Sequence, residues 1–131
     1  MVSFQHMAFN CRDLKKTEAF YSKHFGFKRA CVFKAGNPDE YMIIRLGGAC
    51  IELFPTKNTQ DLKQSPQPLG FQHIAFEVDN LDEAIGKLNA DGVKTEGIID
   101  CSAFIAGLRI CFFQDPDGNR VELMEGYKDL C

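Results

Sequence analysis

Four residues carry the chemistry legible in this chain: His6, Glu52, His73 and Glu122. They arrive as two copies of one pattern. Phe4-Gln5-His6-Met7-Ala8-Phe9 returns as Phe71-Gln72-His73-Ile74-Ala75-Phe76, with Met exchanged for Ile and an offset of 73 − 6 = 67 positions. Gly48-Ala49-Cys50-Ile51-Glu52-Leu53-Phe54 is echoed by Gly118-Asn119-Arg120-Val121-Glu122-Leu123-Met124. Each half opens with a His on an apolar run and closes with a Glu on an apolar run. A carboxylate flanked by Ile and Leu is costly to bury alone. Two neutral imidazoles and two carboxylates suit a divalent first-row ion. Imidazole selects Zn, Ni, Co or Fe over Mg and Ca, and four protein donors plus water allow an octahedral Ni, Zn or Co site. A single strand His is usually a packed or surface residue, and a single strand Glu usually faces water. The repetition of both is what points to a metal.

The elements that must position these residues follow the same duplication. Period-2 alternation predicts strands over 3–10 and 71–78, with His6 and His73 on one face and the apolar Met7, Phe9, Ile74 and Phe76 on the other. Helices are expected over 14–24, with Asp13 as N-cap and Gly26 as C-terminal cap, and over 82–91, ended by Gly92. Further strands are expected at 27–34, 40–46 and 49–54, then at 94–100, 108–114 and 119–125. The turn signals are Gly36-Asn37-Pro38-Asp39, Gly47-Gly48 and Asp115-Pro116-Asp117-Gly118. The expected fold is α+β: two tandem βαβββ modules, mostly antiparallel curved sheets with helices on the outer face. Module 1 covers 1–54 and module 2 covers 71–131. A Pro-containing linker at 55–70 joins them into a single domain. Ile51 and Leu53, like Val121 and Leu123, share the helix-facing side. Glu52 and Glu122 point the other way, toward the two His, beside Cys50 and Met124 as candidate lining residues.

Composition narrows the classes. The chain has 131 residues, is 45% hydrophobic and 25% charged, and carries a formal charge of −3. That is ordinary for one globular domain. No basic run suggests nucleic acid or an anionic membrane, and no apolar stretch reaches the ~20 residues of a membrane span. The N-terminal segment lacks the charged-then-apolar order of a secretion signal, so a cytoplasmic location is expected. Six Cys, at 11, 31, 50, 101, 111 and 131, form no Cys-x-x-Cys and are expected as reduced thiols, mostly packed in the core.

With these residues in place the chain resembles the vicinal-oxygen-chelate superfamily, which includes glyoxalase I, fosfomycin-resistance proteins, methylmalonyl-CoA epimerase, extradiol dioxygenases and bleomycin-resistance proteins. The resemblance covers nearly the whole chain. It rests on the paired βαβββ modules, on Asp13-Leu14, Phe20-Tyr21 and Phe25-Gly26, and on Asp115-Pro116-Asp117-Gly118-Asn119-Arg120-Val121-Glu122-Leu123. The His-Glu-His-Glu order is most similar to bacterial glyoxalase I, and by that resemblance His6, Glu52, His73 and Glu122 are the metal ligands. The chain departs from that pattern at Asn10, where glyoxalase I usually carries an Arg for the glutathione carboxylate, and at Thr56, where an Asn is frequent. Arg12, Arg45 and Arg109 are the candidate replacements.

The chemistry implied is metal-assisted proton transfer next to a carbonyl. A divalent ion holds two adjacent oxygens and stabilises an enediolate, while Glu122 or Glu52 moves the proton. The expected protein is a lyase or isomerase of the lactoylglutathione lyase type, acting on a small molecule such as a thiol–aldehyde adduct. A methylmalonyl-CoA epimerase-like isomerase is the alternative. From a different class comes a metal-free, bleomycin-resistance-type binding protein, favoured by the 12 Phe. The sheet face bearing His and Glu also carries Ala8, Ala75, Phe54 and Met124, so it must close against another module. Resemblance to the small glyoxalases implies a homodimer in which His6 and Glu52 of one chain meet His73 and Glu122 of the other. The 55–70 stretch is long enough for closure within one chain as well.

Overall fold

The computed structural model describes residues 1–129, so Cys131 lies outside the described residues. The chain divides into two compact units, Met1–Asp61 and Leu62–Cys131, with the boundary inside the 55–70 stretch. The first unit runs β1 (Met7–Cys11), α1 (Leu14–Phe25), β2 (Lys28–Phe33), β3 (Tyr41–Leu46) and β4 (Ala49–Pro55). The second runs β5 (Ile74–Glu77), α2 (Leu81–Ala90), β6 (Ile99–Asp100), β7 (Arg109–Gln114) and β8 (Arg120–Glu125). Each unit forms one four-stranded mixed sheet, ordered β1-β4-β3-β2 and β5-β8-β7-β6. In both, the first strand lies parallel to the last and the other pairings are antiparallel. The βαβββ order and the α+β class are as the sequence predicts.

The local chemistry explains the elements. Asp13 caps α1 by accepting from the backbone N–H groups of Lys15 (3.1 Å) and Lys16 (3.2 Å). Gly26, at φ 82°, ends it in the left-handed conformation that a Cβ disfavours. Its N–H donates to Ser22 O, the single bond of an αL cap, and Phe27 N–H donates to Tyr21 O one residue further back. Asn80 caps α2, and the first amide of that helix, Leu81 N–H, donates to the Glu125 carboxylate at 2.9 Å. Apolar alternation then assigns the faces. Phe9, Cys11, Met42, Ile44, Ile51 and Leu53 are buried on the helix side of the first sheet, where Tyr21 of α1 meets Phe9 at 6.1 Å between ring centroids. Cys111, Phe113, Val121 and Leu123 do the same beneath Leu81 and Leu88 of α2. Each fully buried aliphatic of this kind contributes about 1.5–3 kcal/mol.

Three expected strands are corrected. β1 begins at Met7, not residue 3, and β5 at Ile74, not residue 71. The parallel ladder pairs Met7 with Ile51 and Ile74 with Val121. Extended backwards, Phe4 would lie opposite Gly48 and Phe71 opposite Gly118, both in turns that offer no ladder. His6 and His73 therefore stand just before their strands rather than within them. The 94–100 strand shrinks to β6, preceded by one bridge between Thr95 and Phe113. From Thr95 to Ile99 is four steps, while their partners Phe113 and Ile110 are three apart, so one extra residue bulges beside Gly97.

Candidate metal centre

In the first unit, register decides what faces the side of the sheet away from α1. Ala8, Glu52, Ile43 and Cys31 form one cross-strand row. His6 reaches this row from the start of β1, with Nε2 2.6 Å from Glu52 Oε1. Its other nitrogen, Nδ1, pairs with Gln5 Oε1. The second unit repeats the arrangement atom for atom. His73 Nε2 lies 2.9 Å from Glu122 Oε2, and His73 Nδ1 lies 2.5 Å from Gln72 Oε1. The carboxylate side chains are the more enclosed partners, 16% exposed for Glu52 and 9% for Glu122, against 39% for His6 and 29% for His73. Glu122 sits in a row with Ala75 and Phe112, and the Phe112 ring stands edge-on to His73 at 5.5 Å.

The two glutamines were not singled out by the alternation pattern, which put Gln5 opposite His6. They reach the imidazoles because residues 5–6 and 72–73 precede the strands and escape the strict up–down order. The signal was present all the same: Gln-His is the dipeptide that repeats. A Gln Oε1 only accepts, so the pairing suits the tautomer with its hydrogen on Nδ1, and Nε2 is the nitrogen turned toward the carboxylate. An imidazole nitrogen and a carboxylate oxygen this close need a positive particle between them, a proton or a metal cation. Two neighbouring ligands at ~2.1 Å from one ion stand about 3 Å apart, close to the separations found. A metal-bound His commonly donates its second nitrogen to an outer partner in this way. The donors therefore fit a first-row divalent ion. Within each unit, the described residues supply two such donors and no group of three or more His, Cys, Asp or Glu.

The turn before β8 keeps Glu122 in register. Asp115 Oδ1 accepts from Asp117 N–H and Asn119 N–H, and Oδ2 accepts from Asn119 Nδ2, each at 2.9 Å. Of the three arginines proposed from sequence as anion grips, two are engaged elsewhere. Arg12 bonds Asp61 (2.6 Å) and Thr59 O (3.2 Å). Arg109 lies on the helix side with Asp82 and Glu125, its guanidinium pKa raised by the hydrogen bond to Asp82. Arg45 lies opposite Cys50 on the Glu52 side and is exposed. Cys50 is buried beside Glu52, and Met124 is half-buried beside Glu122. Cys11 and Cys111 are buried, and desolvation pushes the Cys111 thiol up from its ordinary value, helped by the nearby Glu96 charge. Cys31 is exposed.

A family model described as the glyoxalase/bleomycin resistance protein/dioxygenase superfamily matches residues 3–123. The chain belongs to that superfamily. A glyoxalase family protein from Enterococcus faecalis has 30% sequence identity, a TM-score of 0.77, and coverage of 94% of this chain and 97% of its own. Lactoylglutathione lyase of Escherichia coli O157:H7 is 29% identical, over 92% of this chain and 90% of the lyase. A variant of the fosfomycin resistance protein FosX from Listeria monocytogenes is similar in fold at 22% identity and a TM-score of 0.73, covering 97% and 92% of the two chains. That variant was solved in complex with Mn(II) and 1S,2S-dihydroxypropylphosphonic acid. No helix among the described residues is long and apolar enough to cross a membrane.

Proposed function

We propose that this chain is a metal-dependent lyase or isomerase of the glyoxalase I type. It transfers a proton next to the carbonyl of a small molecule, with a thiol–aldehyde adduct as the leading substrate class. The observation that carries this reading is the twin arrangement in which Gln holds His Nδ1 and Nε2 faces a carboxylate. His6, Glu52, His73 and Glu122 would hold the ion, with Ni, Zn or Co suited to two imidazoles and two carboxylates. A bound ion supplies Lewis-acid polarisation of the carbonyl oxygen. Glu122 takes the proton from the carbon next to that carbonyl, and Glu52 or Glu122 returns it. Gln5 and Gln72 keep the imidazoles turned, and the rows around Glu122 and Glu52 keep bulk water from the carboxylates. The same parts would serve an epimerase acting beside a thioester.

Each unit supplies two donors, so a four-donor centre requires two units to face one another. We place the reaction in a cytoplasmic homodimer, in which His6 and Glu52 of one chain meet His73 and Glu122 of the other. A closed twofold is the commonest oligomer geometry. Mixing His6→Ala chains with His73→Ala chains should then restore one intact site per heterodimer. A monomer that holds stoichiometric metal would overturn the dimer. For the activity itself, metal content and turnover of methylglyoxal with several thiols are measured together. Glu122→Gln is expected to keep most metal and to lose about 10²–10⁴-fold in turnover. Full turnover in that variant moves the base to Glu52.

A second reading has its own support. Phe33, Tyr41 and Phe54 stack across three strands of the first unit at 4.8 and 4.6 Å, on the side that bears Glu52. Such a stack suits a planar ligand in a metal-free, bleomycin-resistance-type binder. Purified protein without bound metal, and without affinity for added Ni, Zn or Co, would favour it.

A further inference from the structure

The Phe112 ring has a second neighbour besides His73. The guanidinium carbon of Arg120 lies 3.8 Å over its centroid. Arg120 pairs with Gln114 and Glu122 with Phe112, so Arg120 and Glu122 are two residues apart on one strand and share a face. His73, Glu122, Phe112 and Arg120 thus form one cluster on the side of the second sheet away from α2. The ring fixes the position of the guanidinium but accepts nothing along its N–H edge. Among the described residues its ion-pair partner is Glu96, itself 61% exposed, at 3.7 Å, beyond hydrogen-bond reach. Arg120 makes no hydrogen bond to any described residue, while its own side chain is only 29% exposed. The planar fork of five donors is therefore held in place, with Glu96 at ion-pair distance and no hydrogen bond to a described residue.

Other arginines differ. Arg12, Arg29 and Arg109 are bonded to carboxylates. Arg45 is exposed and stacks on no ring among the described residues. The first unit has no counterpart either. At the register positions of Arg120 and Phe112 it carries Cys50 and Ile43. The His–Glu pair is duplicated, and the Arg–Phe pair is single. A feature confined to one half breaks the symmetry of the repeat and gives a bound molecule a direction.

We infer that Arg120 is a substrate-binding residue, whose N–H edge holds an oxyanionic group of the substrate, of the carboxylate or phosphate class. For the position of the reacting carbon, beside His73 and Glu122, this rests on the proposed function. The anion contact itself does not. Residues two apart on a strand are about 6.6 Å apart, so the anionic group and the reacting carbon belong to one compact molecule.

The test follows the Arg120 Nε–Hε signal by NMR in the full-length protein. Inorganic phosphate and propionate are titrated separately, each against chloride at matched ionic strength. A saturable shift at Arg120 with phosphate or propionate, absent with chloride, supports the inference, and the tighter probe names the class. For the variants, binding is read from the backbone amide signals of residues 112 and 119–122; Arg120→Met keeps a stem to pack on Phe112 and should weaken that binding about ten- to a hundredfold. Arg120→Lys keeps the charge without the fork and should recover only part of it. Equal shifts with chloride, or unchanged binding in Arg120→Met, overturn it. Metal content and turnover are measured in the same samples. Anion binding at Arg120 without metal-dependent turnover overturns the proposed function and leaves this inference standing. The converse does the reverse.

Discussion

The anchoring glutamines give a test that separates a built metal site from two incidental ion pairs. Removing an outer partner of a metal-bound His typically costs 10–100-fold in metal affinity, about 1.4–2.7 kcal/mol. The structure grades the two positions. His73 is held by Gln72 at 2.5 Å and also by the edge of Phe112 at 5.5 Å. His6 is held by Gln5, has Ile43 rather than an aromatic ring in the neighbouring row, and is the more exposed ring, 39% against 29%. Gln5→Ala therefore frees its imidazole more completely and belongs near the hundredfold end. Gln72→Ala belongs near the tenfold end. Adding Phe112→Leu to Gln72→Ala should bring the second unit to the loss seen in the first. Competition with a chelator of known affinity measures all three variants, with urea melts of the metal-free protein to show that folding is intact. If both glutamine variants bind metal within twofold of wild type, the imidazoles are not oriented by these bonds. If Gln72→Ala loses more than Gln5→Ala, the part assigned to Phe112 is wrong.

Three further outcomes follow from the surrounding structure. Asp115→Ala removes the acceptor of three hydrogen bonds, leaving buried and part-buried donors. It should cost about 2–4 kcal/mol in urea unfolding and weaken metal binding, because the turn sets the register of Glu122. A loss under about 0.5 kcal/mol, the usual range for a surface change, would count against it. Gly126 has φ 79°, and a Cβ there would meet Gly107 O at 2.5 Å, so Gly126→Ala should lower the melting temperature by several degrees and an unchanged melt would refute the clash. The buried Cys111 thiol has a folded pKa above its ordinary 9.0, so the folded state holds that proton longer than the unfolded one. Its contribution to stability is present below pH 9 and falls as pH rises through the folded value. Comparing wild type with Cys111→Ala at pH 8 and pH 10.5, the stability gap should narrow, and a constant gap would remove the linkage.

How much was legible in the sequence depends on which interactions are periodic. The βαβββ order, the two helix caps and the buried faces of β4 and β8 follow from local rules: Asp13 and Gly26 for α1, and alternation of Ile51 with Leu53 and of Val121 with Leu123. Each Glu falls on the opposite face by the same rule. The starts of β1 and β5 do not, because they are decided by a partner more than forty residues away that ends in a glycine turn. That non-local limit has a chemical consequence. Had the ladder continued, Gln5 and His6 would have pointed to opposite faces, and the amide could not have reached Nδ1. The site owes its outer bonds to the place where the strand pattern stops. The single Arg120–Phe112 contact was hidden for a related reason: it joins residues on two strands in a diagonal pair, and nothing in a one-dimensional alternation marks which diagonals touch. A duplicated sequence draws attention to what the halves share, here His and Glu. The positions where they differ, Cys50 against Arg120 and Ile43 against Phe112, become visible once register aligns the two sheets, and those are the positions from which a pseudo-symmetric fold can bind an unsymmetrical molecule in one orientation.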